Sequence, residues 1–384
     1  MTQSTRPRAL TGGTIVTPER CIDGGTLTFP DDRIESVHQS GGSDSAAIDV
    51  SGQYVFPGLV DIHGDDIERH LFPRPEAQVP TETAVRKSER AALAAGVTTK
   101  LHALPFENAP DDQRSVQRST ELSRVIHDRR GEALIDQRVH ARCELADQSA
   151  VRAVEQLLSD SDVALVSLMN HTPGDGQYPS TDSLSNHFEM QGPVSDEGLE
   201  EVIQSRQRVT GPTLARRREA ILEAAQAAGV PAASHDPQDA RTVDKAKENG
   251  VAICEFPLTL AAARRARAHG MVVTAGSPNL VRGGSLWGNL AAREAIDADL
   301  VDVLCSDFRP QTMLQSIFVD TGEPLPTRVN RVSADPAAAI GLADIGRLEP
   351  GARANIIVVD PSPTPTVSRV FVDGVEVYRY GPDT

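Results

Sequence analysis

The sequence predicts an α/β fold: a (β/α)8 TIM-type barrel carrying a small β-sandwich domain built from both termini. Three observations point there. Between residues 55 and 308, eight apolar strand-like runs alternate with Ala-, Arg- and Glu-rich stretches of helical period. Nearly every run ends in a ligand-type side chain. The two ends of the chain carry instead short alternating runs punctuated by Gly, Asp and Pro, as small sheets with tight turns do.

Taken in order, residues 9–57 read as short strands, with Asp31-Asp32 as a turn between two of them. The barrel strands follow as VFPGLVDIH, GVTTKLHALPF, RVHARCEL, VALVSLMNH, VPAASHD, VAICEFPL, MVVTAGSPN and LVDVLCSDF. Helices such as TAVRKSERAALAAG and ARRREAILEAAQAAG separate them. The interval from His171 to Val230 breaks the rhythm, and an insertion over about 172–216, rich in Gly, Pro, Ser and Asp, reads as a lid or substrate-binding excursion. The tail returns to strands, IIVVD and then a hairpin around Asp373-Gly374. The expected domains are therefore 1–57 with 345–384 as one composite sandwich, and 58–344 as the barrel.

Composition narrows the function classes. A net charge of −16 argues against a nucleic-acid surface. Only four lysines stand beside 34 arginines, which fits salt adaptation and a GC-rich genome equally. The four cysteines, Cys21, Cys143, Cys254 and Cys305, are far apart, so neither a zinc knuckle nor a disulfide scaffold is indicated, and reduced thiols fit a cytoplasmic protein. The N-terminus lacks the apolar core of a signal peptide, and no apolar run reaches membrane-spanning length. Neither a nucleic-acid nor a membrane partner is expected, and base rates favour a homodimer.

The strand ends carry the chemistry. His63 and Asp65 close the first strand, and an i, i+2 pair on an extended segment shares one face. Glu144 ends the third, His171 the fourth, His235 the fifth and Asp307 the eighth. In a barrel these converge, and three imidazoles with three carboxylates can hold two divalent ions. Asp307, beside an activated water, is placed to take its proton and pass it on, so Asp307 and His235 are the catalytic candidates. Arg282, beside Gly276, Gly283 and Gly284, with Arg69, Arg74, Arg142 and Arg309, offers guanidinium forks suited to phosphoryl oxygens. Asn279 and Glu255 end strands and are candidates for hydroxyl or metal-side contacts. Glu68 and His70 are expected to orient His63 or the water. His102, His140 and His187 are weaker candidates.

The strings PGLVDIHGD, GVTT, ASHD and DPAAAIGLADIGRLEPGARANIIVVD together resemble the amidohydrolase superfamily across essentially the whole chain. That resemblance implies a metal-dependent hydrolase barrel with a flanking sandwich. HGDDIERHLFPRP, HARCEL, SLMNHTPGDGQY, EFPLTLAAARRARAHGM and GSPNLVRGGSLWGNLAARE narrow it to the branch of phosphonate metabolism that hydrolyses α-D-ribose 1-methylphosphonate 5-triphosphate to the 5-phosphate and diphosphate. The implied partner is that small phosphorylated sugar phosphonate. By the same resemblance Asp65 stands where most of the superfamily has a second histidine, and Glu144 is similar to the bridging glutamate of some members. A carboxylate at position 65 suits harder ions, so zinc leads with manganese or iron open. The competing readings are a C–N hydrolase acting on a cyclic amide or aminopurine, and a non-catalytic binding protein of the same fold.

Overall fold

All eight expected barrel strands form. The computed structural model describes residues 9–39, 47–74, 77–110, 114–172, 180–181, 184–185, 196–285 and 288–381, so His187 and much of the expected 172–216 insertion lie outside it. The strands are β1 (Leu59–Gly64), β2 (Val97–Phe106), β3 (Asp136–Glu144), β4 (Leu165–Met169), β5 (Ala232–His235), β6 (Ile253–Glu255), β7 (Val272–Gly276) and β8 (Val303–Cys305). They pair in chain order, each parallel to the next. The ring closes where Gly64 bridges Asp307: the Asp65 amide donates to the Asp307 carbonyl at 2.8 Å, and the Asp307 amide to the His63 carbonyl at 2.9 Å. Among the described residues no further strand lies between β4 and β5. Helices Asp196–Gln207 and Gly211–Ala228 fill that interval instead. SPN, read as the end of the seventh strand, instead opens helix Ser277–Arg282, because Pro278 suits a first turn.

Side-chain alternation sorts each strand into two faces. On β3, Val139, Ala141 and Cys143 pack outward with Leu122, Ile126, Val151 and Val154 of the covering helices. His140, Arg142 and Glu144 therefore face the barrel interior. On β2, Leu104 and Phe106 face the helices, and Lys100 and His102 share that outward phase, whereas Leu101 faces in. The interior is apolar at the N-terminal end, where Val60, Ile62, Leu101, Leu165, Ala233, Ile253 and Val303 meet Ala337, Ile340 and Ile345 as a plug. One alternation step toward the C-terminal end, the inward residues turn polar. Burying a plug side chain contributes about 1.5–3 kcal/mol, so this layer anchors the polar one above it.

β1 needs a correction to strict alternation, since Val60 and Ile62 point in and so does His63. A register shift between Asp61 and Gly64 supplies it: three residues of β1 span two of β2 there. Such a bulge re-aims the following side chains. Gly64 permits it, because a Cβ there would meet Asp61 Oδ2 and Lys100 Cε at 2.7 Å. Helix starts follow the sequence signals, with Ser115, Asp147, Thr210, Asp239 and Thr259 each accepting a first-turn amide.

The termini interleave. Tyr54–Pro57 pairs antiparallel with Ile356–Asp360, inside a six-stranded sheet holding Thr14–Val16, Cys21–Ile22, Thr366–Val372 and Val375–Arg379. A four-stranded sheet from 9–49 lies over it. Alternation again divides the faces: Ile15, Val55, Ile356 and Val358 pack toward the smaller sheet, whereas Val16, Phe56, Ile357 and Val359 pack toward barrel helices. The run VFPGLVDIH thus splits at Pro57-Gly58 into a sandwich strand and β1. A Cβ on Gly58 would lie 2.2 Å from Thr98 Oγ1, so the crossover needs glycine. Among the described residues no helix is long and apolar enough to cross a membrane.

Candidate metal centre

The inward polar layer gathers at the C-terminal ends of the strands, where β5, β6 and β8 turn sharply outward. Asp236, Phe256 and Asp307 follow those turns in left-handed backbone, with φ of 50°, 52° and 51°. Non-glycine residues pay about 1 kcal/mol or more for that conformation, which the surrounding packing holds in place.

Two potential ligand groups share His63. One is His63, His235 and Glu255; the other is His63, Asp65 and Asp307; in each, one ligand atom per residue lies within 4.8 Å of the others. His63, Asp65, His235 and Asp307 border a cavity of about 230 Å3 whose walls include Arg142, Asp236, Phe256, Leu258, Asn279, Arg282 and Leu290. Four of the expected ligands, His63, Asp65, His235 and Asp307, are thus brought together. Burial, and then the neighbouring Asp65 carboxylate, push Asp307 up to about 7. Two carboxylates so close, one of them reluctant to ionise, are short of positive charge. A divalent ion supplies it, so this donor set fits one.

Glu144 and His171 gather elsewhere. With Glu107, from just beyond β2, they form a third group. Here cations are already present: Arg206 meets Glu107 at 2.7 Å, Arg114 at 3.6 Å, and His171 Nδ1 lies 3.2 Å from Glu144. Burial opposes charge on His171, but the two glutamates outweigh it and raise its pKa. Glu144 also accepts the amides of Ala146 and His171. This set is a buried ion-pair network that pins helix Asp196–Gln207 to the barrel rim. Its three ligand atoms also lie within 4.8 Å of one another, close enough to hold an ion.

Arg142 lies at the centre. Its Nη2 sits 3.2 Å from His235 Nε2 and its Nη1 3.6 Å from Asp65. Nε and Nη1 are buried without a hydrogen-bond acceptor. Buried guanidinium donors left unpaired are costly, and a guanidinium on a cavity wall is suited to an anionic ligand. Arg282 also lines the cavity, and its guanidinium donates to the Gly284 carbonyl. Arg69, Arg74 and Arg309 are exposed and outside the cavity wall; Arg69 stacks on Phe308, 5.0 Å from the ring centre. Asn279 spends both ends of its amide on the loop, donating to Leu290 O at 3.1 Å and accepting from Ala292 N at 2.9 Å. These bonds fix its place in the cavity wall and leave one N–H and one lone pair of the amide.

Glu68 and His70 do not reach His63. They belong to helix Ile67–Leu71, where strand alternation has ended, and they turn to Arg114 at 2.7 Å and to Asp66 at 3.2 Å. Other strand residues touch the histidines, among them the strand-end candidate Glu255. Glu255 Oε1 accepts from His63 Nδ1 at 2.7 Å, and its Oε2 from His235 Nδ1 at 2.8 Å and Ser167 Oγ at 2.7 Å. Burial disfavours charge on Glu255, yet His63 and His140 beside it hold its carboxyl well below the usual range. His140, which burial lowers to about 3, packs against the Ile62 carbonyl and Ser167. The inward phase of His140 was the available signal, and Glu255 was visible as a strand-end carboxylate; Ser167 carried none beyond its alternation.

Lys100 faces away from the centre, as its outward phase requires. It is fully buried and donates to Asp66 and to Ser88 Oγ. Burial raises the Asp66 carboxyl, but Lys100, His70 and His102 together outweigh it and leave it well below the usual range. Lys100→Met leaves that carboxylate buried without its cation. The expected loss is about 3–5 kcal/mol in denaturant unfolding, with the metal centre intact. A loss under about 1 kcal/mol overturns this reading of the pair.

The comparisons with known proteins agree with this architecture. A model of the amidohydrolase family matches residues 199–377. The N-acetyl-D-glucosamine-6-phosphate deacetylase of Mycobacterium smegmatis superposes with a TM-score of 0.64 over 97% of this chain and 100% of its own, at 16% identity. A D-hydantoinase from a Bacillus species does so with 0.63 over 97% and 95%, at 15% identity. These likenesses carry the fold alone. In sequence, the alpha-D-ribose 1-methylphosphonate 5-triphosphate diphosphatase of Escherichia coli K12 is 30% identical over 347 residues, 88% of this chain and 92% of that protein. Kinship of that extent, on this barrel, makes the chain a member of the amidohydrolase family.

Proposed function

We propose that the chain is a metal-dependent hydrolase that cleaves α-D-ribose 1-methylphosphonate 5-triphosphate to the 5-phosphate and diphosphate. The observation that carries the reading is the 30% identity to the diphosphatase over nearly the full length of both chains. The site supports it, because Arg142 brings unpaired donors beside a carboxylate-rich centre.

His63, Asp65, His235 and Asp307 are the residues that would hold a divalent ion, zinc first, with manganese or iron as alternatives. When bound, such an ion supplies Lewis-acid chemistry and brings water ionisation toward neutral pH. Asp307 takes the proton from the attacking water, a task open to a carboxylate that borders the cavity beside His63 and Asp65. The water oxygen bonds to phosphorus, the α–β anhydride bond breaks, and diphosphate leaves. Asp307 then returns the proton to solvent or to the departing oxygen. Arg142 and Arg282 bind phosphoryl oxygens and offset the charge that builds on them. The apolar wall of Phe256, Leu258 and Leu290 limits water access.

Phosphorus NMR of the metal-loaded protein with this substrate tests the reading. Diphosphate and the 5-phosphate are expected together, and both signals disappear with a chelator. An unchanged triphosphate with fully metallated protein overturns it and moves the search to C–N bonds.

A further inference from the structure

Glu255 lies at the end of β6, fully buried, and does not border the cavity that His63 and His235 line. Its two oxygens face two different rings. Oε1 takes the His63 Nδ1 hydrogen at 2.7 Å and Oε2 that of His235 at 2.8 Å. Ser167 adds a third contact at 2.7 Å. The rings stand nearly parallel, 8° apart with centroids 5.7 Å from each other. One carboxylate bridging two imidazoles in this way fixes both their planes and their separation.

The hydrogen positions follow from what each partner can do. A carboxylate only accepts, so both Nδ1 atoms carry hydrogen. At His235 Nε2 the Arg142 guanidinium, 3.2 Å away, only donates, whereas the Asp236 carboxylate, 3.4 Å away, only accepts, so the Glu255 contact at Nδ1 decides this ring. A neutral imidazole with its hydrogen on Nδ1 keeps the Nε2 lone pair for a ligand.

We propose that Glu255 is the positioning residue of the centre: it sets His63 and His235 in the same Nδ1–H tautomer and is not itself a ligand. An ion bound to Glu255 would have to displace three donors that already occupy its oxygens. A carboxylate behind a metal-binding imidazole fixes the tautomer and makes the ligand more basic. Here one carboxylate serves two histidines brought from β1 and β5. The inference rests on the metal reading above for its purpose, though not for its geometry.

The test begins with the metal-free wild-type protein, using nitrogen NMR of 15N-histidine at about pH 9, above the ordinary imidazole range. His63→Gln and His235→Gln assign the two rings. Both are expected as Nδ1–H tautomers. In Glu255→Gln the carboxamide accepts from one ring and donates to the other, so one ring is expected to switch to Nε2–H. Zinc affinity of that variant, by chelator competition, is expected to fall about 10–100-fold. Wild-type rings protonated at Nε2 overturn the proposal, whether or not the variant folds. So does Glu255→Gln with both tautomers and zinc affinity unchanged. If the tautomers are as stated but His63→Ala also binds zinc normally, the metal reading fails and the positioning geometry survives.

Discussion

His63→Ala is expected to empty the centre of metal and to lower diphosphate release by about 10³-fold or more. His63 is the one residue common to both potential ligand groups at the cavity. Its loss removes an imidazole from each and frees Glu255 Oε1. A bound ion's charge stabilisation amounts to several kcal/mol, and each 1.4 kcal/mol is about tenfold in rate. The bulge between Asp61 and Gly64 brings His63 inward by backbone geometry, so no neighbour on β1 substitutes for it. Metal content by mass spectrometry and the rate measured on one preparation check both halves. A variant with full metal content and wild-type rate would remove His63 from the site altogether. Fold loss is separable, because the apolar plug beneath, Ile62 with Leu101, Leu165 and Ile253, is untouched.

How much of this could be read beforehand depends on how local each signal is. The eight strands were legible because an apolar run with period-2 faces states its own conformation. His63, Asp65, His235 and Asp307 were legible because a polar residue ending such a run faces inward where the strands converge. Glu144 and His171 satisfy the same rule yet form a separate group. Arg206, from the helix over 196–207, brings a cation to Glu107 beside them, and the sequence gives no local sign of that meeting. Glu68 and His70 mislead in the opposite direction: they adjoin the motif in sequence, but a helix begins at Ile67 and carries them away. Glu255 was visible as a strand-end carboxylate, whereas its bond to two rings from β1 and β5 depends on barrel closure. Of the candidate arginines, only Arg142 and Arg282 border the cavity, because side-chain phase and loop path decide reach and an Arg codon reports neither.

Asp307→Asn is expected to lower turnover by about 10²–10⁴-fold while the chain stays folded, the usual span for loss of a general base. Asparagine keeps the shape and the left-handed backbone that position 307 requires, with φ of 51°. It also keeps the amide and carbonyl that join β1 to β8. The pH dependence gives a sharper check. Burial and Asp65 raise the Asp307 carboxyl to about 7 in the metal-free protein. A raised carboxyl binds its proton more tightly folded than unfolded. Its contribution to stability is therefore complete below the ordinary value of about 4, and is lost as pH rises through 7. An ion binding between Asp65 and Asp307 must displace that proton. Metal affinity is thus expected to fall about tenfold per pH unit below 7 for this group, beyond any proton released by His63. In Asp307→Asn the slope of affinity against pH should drop by about one proton, since the amide has none to release. If rate and slope both match the wild type, Asp307 neither holds the ion nor moves the proton. If the slope changes and the rate does not, it is a ligand only, and the base lies elsewhere along the cavity wall.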